Sequence, residues 1–214
     1  NVLFYDPMKI EILESEAIPV ILNRGGKTRD ILYVKGIISG NEIHIFVNHW
    51  PSNYGGKSKS IPKRAKAAAT LKNRIERILT TNSKAEIIVM GDLNENPTDV
   101  NVYGILKSTT ERSAAIYPER NLYNMMSNLI GTEKTGTYVY RGEDLFYDQI
   151  LVSPGLLDNA GLVLESETCQ IHDLPKYRQQ EGKYAHYPFR FWAGNRLLSG
   201  YSDHLAVHTK IIVK

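Results

Sequence analysis

The tightest constraint in the sequence is a strand–helix–strand unit that ends in a carboxylate. Residues 43–47 form a short β-branched run, residues 61–79 carry apolar side chains at helical spacing, and residues 87–90 are wholly apolar before Gly91-Asp92. The helical stripe comprises Ile61, Ala65, Ala68, Leu71, Ile75, Ile78 and Leu79, with Ser60 placed as the cap and Pro62 in the first turn. Such a crossover joins two strands of one sheet, and a polar residue at the carboxyl end of its second strand is a favoured place for chemistry. Residues 31–34 are expected to form a hairpin with 43–47 through Ser39-Gly40-Asn41, and 137–140, 149–152 and 205–213 read as further strands. Glu11, Glu14 and Glu16, interspersed with Ile10, Ile12 and Leu13, read as a solvated strand or turn. Residues 168–195, rich in Tyr, His, Arg and Pro without periodicity, read as a long loop, and long loops in compact domains are often functional. The fold class is α/β with mixed sheets.

Composition limits what such a fold can be used for. A chain of 214 residues with 42% hydrophobic and 23% charged residues is ordinary globular material, which excludes disorder, collagen-like repeats and low complexity. Its length suits one domain over residues 1–214. A single cysteine, Cys169, excludes an internal disulfide and a Cys-based zinc site. No apolar run approaches the ~20 residues that span a bilayer. Between Lys57 and Lys84 nine basic residues face one acidic residue, Glu76, and the remainder of the chain is mildly acidic. The preferred reading is the wet face of an amphipathic helix; the sharper one is a patch that meets a polyanion.

Four polar clusters sit beside apolar runs: Asn48-His49, Gly91-Asp92-Leu93-Asn94, Asp148-Gln149 and Ser202-Asp203-His204. Each alone is equally well a turn, a cap or a surface pair. Together they suit hydrolysis of a phosphate ester. That reaction needs a hard cation on oxygen ligands, a carboxylate to orient or deprotonate water, and donors for charge growing on phosphoryl oxygens. Asp92, Asp148 and Asp203 supply the first two, and Asn94, His49 and His204 the third. No Gly-rich loop with Lys-Ser or Lys-Thr, no Gly-x-Ser-x-Gly elbow and no His-Glu-x-x-His helix competes.

Asn48-His49-Trp50-Pro51-Ser52, Gly91-Asp92-Leu93-Asn94, Tyr147-Asp148-Gln149-Ile150 and Ser202-Asp203-His204, in this order, resemble the endonuclease/exonuclease/phosphatase superfamily. The resemblance implies a deoxyribonuclease-I-like four-layer α/β sandwich of two mixed β-sheets flanked by helices. It further implies a phosphoesterase that uses Mg2+, with Mn2+ or Ca2+ as substitutes. Asp92 then orients or activates water, Asn94 helps bind phosphate, and His49 donates to a non-bridging oxygen. Asp203 is a metal-side carboxylate, shared with Asp92, and His204 contacts the scissile phosphate while Asp148 orients its imidazole. Asn48, Arg29, Arg64 and Arg190 are carried over as substrate-binding residues. The stretch from Asn48 to Ser52 with Gly55, Gly56, Ser60 and Arg64 resembles a bacterial subgroup that is often exported, and a monomer is expected.

The same resemblance calls for an earlier strand-end asparagine and a strand-borne glutamate as principal metal ligand, and neither stands in these residues. Asn1 to Tyr5 resembles a strand that follows that glutamate. The chain is therefore expected to be N-terminally incomplete, the larger part of a domain of ~300 residues, and weak or inactive alone. Three readings remain: a nuclease-like phosphodiesterase, an inositol-phosphate or lipid phosphomonoesterase, and a non-catalytic phosphate-binding module. Trp50, Tyr54, Phe191 and Trp192 are candidate base-stacking residues, Trp192 being read first as a loop or core anchor. His44, His172, His186 and His208 read as structural.

Overall fold

A computed structural model describes residues 1–116, 122–132, 136–165 and 167–214. Four strands open it: β1 Glu11–Ile18, β2 Ile31–Ile38, β3 Asn41–His49 and β4 Glu86–Asp92, with helix α1 Lys57–Thr81 crossing between β3 and β4. Then follow β5 Ser108–Thr109, β6 Leu122–Asn124, β7 Tyr138–Tyr140, β8 Glu143–Leu145, β9 Asp148–Val152 and β10 Leu162–Leu164. The last are β11 Gln170–Ile171, β12 Trp192–Ala193, β13 Arg196–Leu197, β14 Val207–His208 and β15 Ile211–Val213. A seven-stranded mixed sheet runs β1-β2-β3-β4-β9-β6-β5.

Local chemistry explains the central strands. Ser39 (φ 48°) and Gly40 (φ 83°) are both left-handed, as a two-residue turn between right-twisting strands requires, and Ile38 pairs with Asn41 across it. β3 and β4 are parallel, and their side chains alternate between two buried faces. Phe46, Ile87, Val89 and Leu151 face Ala67, Ala68, Leu71 and Ile75 of α1. Ile43, Ile45, Ile150 and Val152 face the opposite way, toward Leu162, Leu164 and Cys169. The second layer is completed by the antiparallel pairs β10–β15 and β11–β14. The chain is thus an α/β sandwich, with its second sheet reduced to short pairs among the described residues. Among those residues no helix is long and apolar enough to cross a membrane.

Four sequence expectations are corrected. Helix α1 starts at Lys57 after Gly56 (φ 114°), so Ser60 is an interior residue and not the cap, and Pro62 lies in the second turn. The Ser60 hydroxyl instead donates to backbone oxygens at the helix start. The final strand divides into β14 and β15, which pair with different partners. Residues 1–6 have no regular structure, although the Asn1 side-chain amide donates to the carbonyls of Asp30 and Val47. Trp50 is core, 1% exposed, its indole N–H donating to Asn48 Oδ1 at 3.0 Å. The Glu11, Glu14 and Glu16 segment is β1, an edge strand antiparallel to β2.

Gly91 permits the parallel pair to close. It has φ 125°, and a β-carbon there would overlap the Asn48 carbonyl oxygen on β3. Gly91→Ala is therefore expected to lose on the order of 3 kcal/mol from backbone strain plus overpacking. Urea unfolding checks this as a lower midpoint at unchanged slope.

Candidate active site

Register builds the site. In the β3–β4 pair His49 lies opposite Asp92, and in the β4–β9 pair Asp92 lies opposite Asp148. Three strand ends thus set an imidazole and two carboxylates in a row across the middle of the sheet. His49 Nε2 is 3.5 Å from Asp92 Oδ2. His204 arrives from a distant part of the chain through a bridge to Tyr138 on β7, and its ring stacks on that tyrosine at 4.6 Å. There His204 Nδ1 meets Asp148 Oδ2 at 2.6 Å. Buried Thr137 fastens the junction: its hydroxyl accepts from the Tyr147 and Asp148 N–H groups, and its carbonyl accepts from Leu205 N–H.

Burial and neighbouring charge push these groups in different directions. Asp92 is raised to about 6, first by loss of water and then by the Asp148 carboxylate, against the pull of His204, the Asn94 N–H and Arg29. His49 is lowered by burial and by the positive charges of Arg29 and His204, so its ring favours the neutral form. For His204 burial acts to lower the value. The hydrogen bond and charge of Asp148, with Asp92 and Asp203 behind them, outweigh it and raise the group, favouring an imidazolium. Burial likewise raises Tyr138, with Arg190 beside it opposing and Asp203 adding to the effect. Arg29 acts on His49 and Asp92, Asp203 acts on His204, and Arg190 acts on Tyr138, the ring that stacks on His204.

Two expected substrate contacts are not on this surface. Arg64 is 0% exposed: its Nε donates to Glu95 Oε1 at 2.7 Å, and its Nη1 to Pro51 O at 3.1 Å and Ser60 Oγ at 2.8 Å. A guanidinium committed in this way has no face for substrate, so the Arg64 assignment is corrected to a buried tie between loops. Asn48 is corrected similarly, since its buried amide lies between Phe46 O and the Trp50 indole. Asn94, 6% exposed with φ 51°, donates one Nδ2 hydrogen to Trp50 O at 3.1 Å, which holds its loop against the end of β3.

Sequence reading missed the supports beneath the row. Buried Glu95 receives Arg64 and both nitrogens of Asn101. Asn53 donates to Asn94 O and to the Tyr147 hydroxyl. Gln149 donates to the carbonyls of Glu95 and Phe146, and accepts from Asn124. Partners dozens of residues apart leave no local signature, and only the buried stripe Ser60, Arg64, Ala68, Leu71, Ile75 betrays Arg64 by its helical spacing.

The described donors fit a tightly held divalent cation poorly. Among the described residues no group of three or more His, Cys, Asp or Glu side chains is arranged so that it could hold a metal ion. Of the two expected oxygen donors, Asp203 is exposed, and Asp92 already accepts from Asn94 N–H at 2.8 Å. Hard cations want about six oxygen ligands.

The comparisons with known proteins agree with this architecture. The model of the Endonuclease/Exonuclease/phosphatase family matches residues 1–213. Truncated Caenorhabditis elegans TDP2 superposes with a TM-score of 0.56 at 19% identity, covering 93% of this chain and 65% of its own. The human Nocturnin catalytic domain with bound sulfate gives 0.58 at 20%, with 97% and 61% covered. D. rerio TDP2 complexed with single-strand DNA product gives 0.58 at 15%, with 96% and 70% covered. The chain spans less than two thirds of the first two of these structures. No curated protein sequence matches it significantly.

The Asp92 environment predicts a pH-linked gain of stability. A carboxyl raised from 3.8 to about 6 folds most favourably when protonated, and ionising it costs the fold on the order of 3 kcal/mol by pH 7.5. Asp92→Asn keeps the acceptor for Asn94 N–H and removes that cost. Its melting temperature should exceed the parent's at pH 7.5 and by much less at pH 4.5.

Proposed function

Because the chain belongs to the Endonuclease/Exonuclease/phosphatase family, we propose that the row at its strand ends hydrolyses a phosphodiester with water. One observation carries the reading: a half-buried carboxylate, Asp92, lies opposite Asp148, which holds the His204 imidazole at 2.6 Å. Above pH 6 Asp92 is ionised and can orient water and accept its proton. His204, held as imidazolium, donates to a non-bridging oxygen where negative charge grows. Neutral His49 offers a second N–H, and Arg29 and Arg190 attract the anionic ester. The product of the D. rerio TDP2 structure, a single DNA strand, supports a nucleic-acid diester as the substrate class.

Divalent-metal chemistry, which the family relationship implies, would supply charge neutralisation at the phosphoryl oxygens. With Asp92 and Asp203 as the oxygen donors, magnesium is expected to bind this chain only in the millimolar range or weaker, and turnover to be correspondingly slow. Calorimetric titration with magnesium measures the former.

The decisive assay compares turnover of single-stranded DNA, bis(p-nitrophenyl) phosphate and inositol polyphosphates. Diesters should be cut and monoesters spared. Asp92→Asn and His204→Ala should each lower kcat by about 100-fold or more. The kcat/KM profile should rise through about pH 6 as Asp92 ionises and fall above the ordinary histidine value as His204 loses its proton. Asp148→Asn should move the alkaline limb to lower pH. Preferential release of phosphate from inositol polyphosphates would instead establish a phosphomonoesterase.

A further inference from the structure

Phe191 and Trp192 leave the core at the start of the β12–β13 hairpin, 47% and 54% exposed, with ring centroids 5.8 Å apart at 72°. Trp192 is thus neither core nor a buried loop anchor, contrary to its first reading from sequence. The base of the hairpin is fixed to the His204 end of the site. Tyr201 N–H donates to Phe189 O at 2.6 Å, Leu198 N–H to Phe191 O at 2.9 Å, and Gly200 packs against the carbonyls of Phe189 and Arg190. Arg190, immediately before Phe191, lies beside Tyr138, whose ring stacks on His204. Tyr201, 59% exposed, directly precedes Ser202-Asp203-His204.

Charge accompanies these rings. Residues 174–201 contain five basic residues and one acidic, Glu181, interleaved with seven aromatic ones. Lys176 sits over the Tyr177 ring at 5.0 Å and Lys183 over Tyr184 at 5.6 Å. We propose that Phe191 and Trp192 form a stacking platform for unpaired bases of a single-stranded nucleic acid, next to the phosphate presented to His204. Rings accept any base by its π-face while neighbouring cations follow the backbone, so recognition is tolerant of sequence. A hairpin made to enter a lipid surface would carry apolar residues at its tip. Here the tip is Gly194-Asn195, and the large apolar residues Trp192 and Leu197 pair on the strands below it. The inference rests on the phosphodiester reading above, but its test does not need turnover.

The protein has two tryptophans, and Trp50 is buried, so base stacking on Trp192 is read directly from intrinsic fluorescence. A short oligothymidylate should quench the exposed emission, and inorganic polyphosphate of equal charge should not. By anisotropy of a labelled oligothymidylate, Trp192→Ala should weaken binding about five- to tenfold, the share of one stacked base, and Trp192→Phe should largely restore it. Hydrolysis of bis(p-nitrophenyl) phosphate, which is too small to reach the hairpin, should be unchanged by Trp192→Ala. Equal quenching by polyphosphate, unaltered oligonucleotide affinity in Trp192→Ala, or quenching by anionic phosphatidylserine vesicles without any by oligothymidylate would each overturn the proposal. Quenching by oligothymidylate without turnover of any ester would sustain the platform whatever becomes of the hydrolase reading.

Discussion

The register of β3, β4 and β9 is the constraint on which the rest of the site depends. A one-residue slip in either pairing would turn Asp92 to the opposite face from its neighbours, since side chains alternate with period two. Gly91 sets that register because only a residue without a β-carbon can pass the Asn48 carbonyl at this point. The glycine that looks like simple punctuation before Asp92 is a steric requirement of the strand pair. Once it is met, His49, Asp92 and Asp148 come into line without any loop having to fold to a particular shape.

The row is electrostatically unfavourable on its own, and its surroundings are arranged accordingly. Asp92 and Asp148 are like charges on adjacent strands, and Asp92 is withdrawn from water. His204 offsets both, which is why its arrival from the far end of the chain matters more than its sequence neighbourhood. A fold that keeps such a cluster must hold the partners by other means. Thr137 does so at one end by accepting three backbone N–H groups, two on its hydroxyl and one on its carbonyl, and the Arg64–Glu95 pair does so at the other.

Much of this was legible in the sequence where the determinants are local. The hairpin at Ser39-Gly40, the crossover helix and the four polar clusters all rest on spacing within a few residues. Side-chain direction was not legible at the helix start. Drawing the apolar stripe through Ile61 and Ala65 leaves Arg64 on the wet side of a basic helix, whereas the face that is buried runs through Ser60, Arg64, Ala67, Ala68 and Leu71 and turns it inward. Asn48 failed for a related reason: a motif fixes residue type, but its amide is claimed by the Phe46 carbonyl and the Trp50 indole, visible only after the loop is closed.

Arg64 also shows what the buried polar layer is for. Removing an arginine and a glutamate from water costs several kcal/mol per ion, and their mutual attraction seldom returns more than that. Here the compensation is incomplete, for Arg64 Nη2 is buried without a hydrogen-bond partner among the described residues. The pair is therefore a poor device for stability alone. What it fixes is direction: one guanidinium holds the carbonyl of Pro51, two residues after His49, and the carboxylate of Glu95, three residues after Asp92. An apolar pair of equal volume would fill the same space but leave both loops free to rotate about their strand ends. Buried charge at this position is better understood as setting the angle between two strand ends of the candidate site than as strengthening the core beneath them.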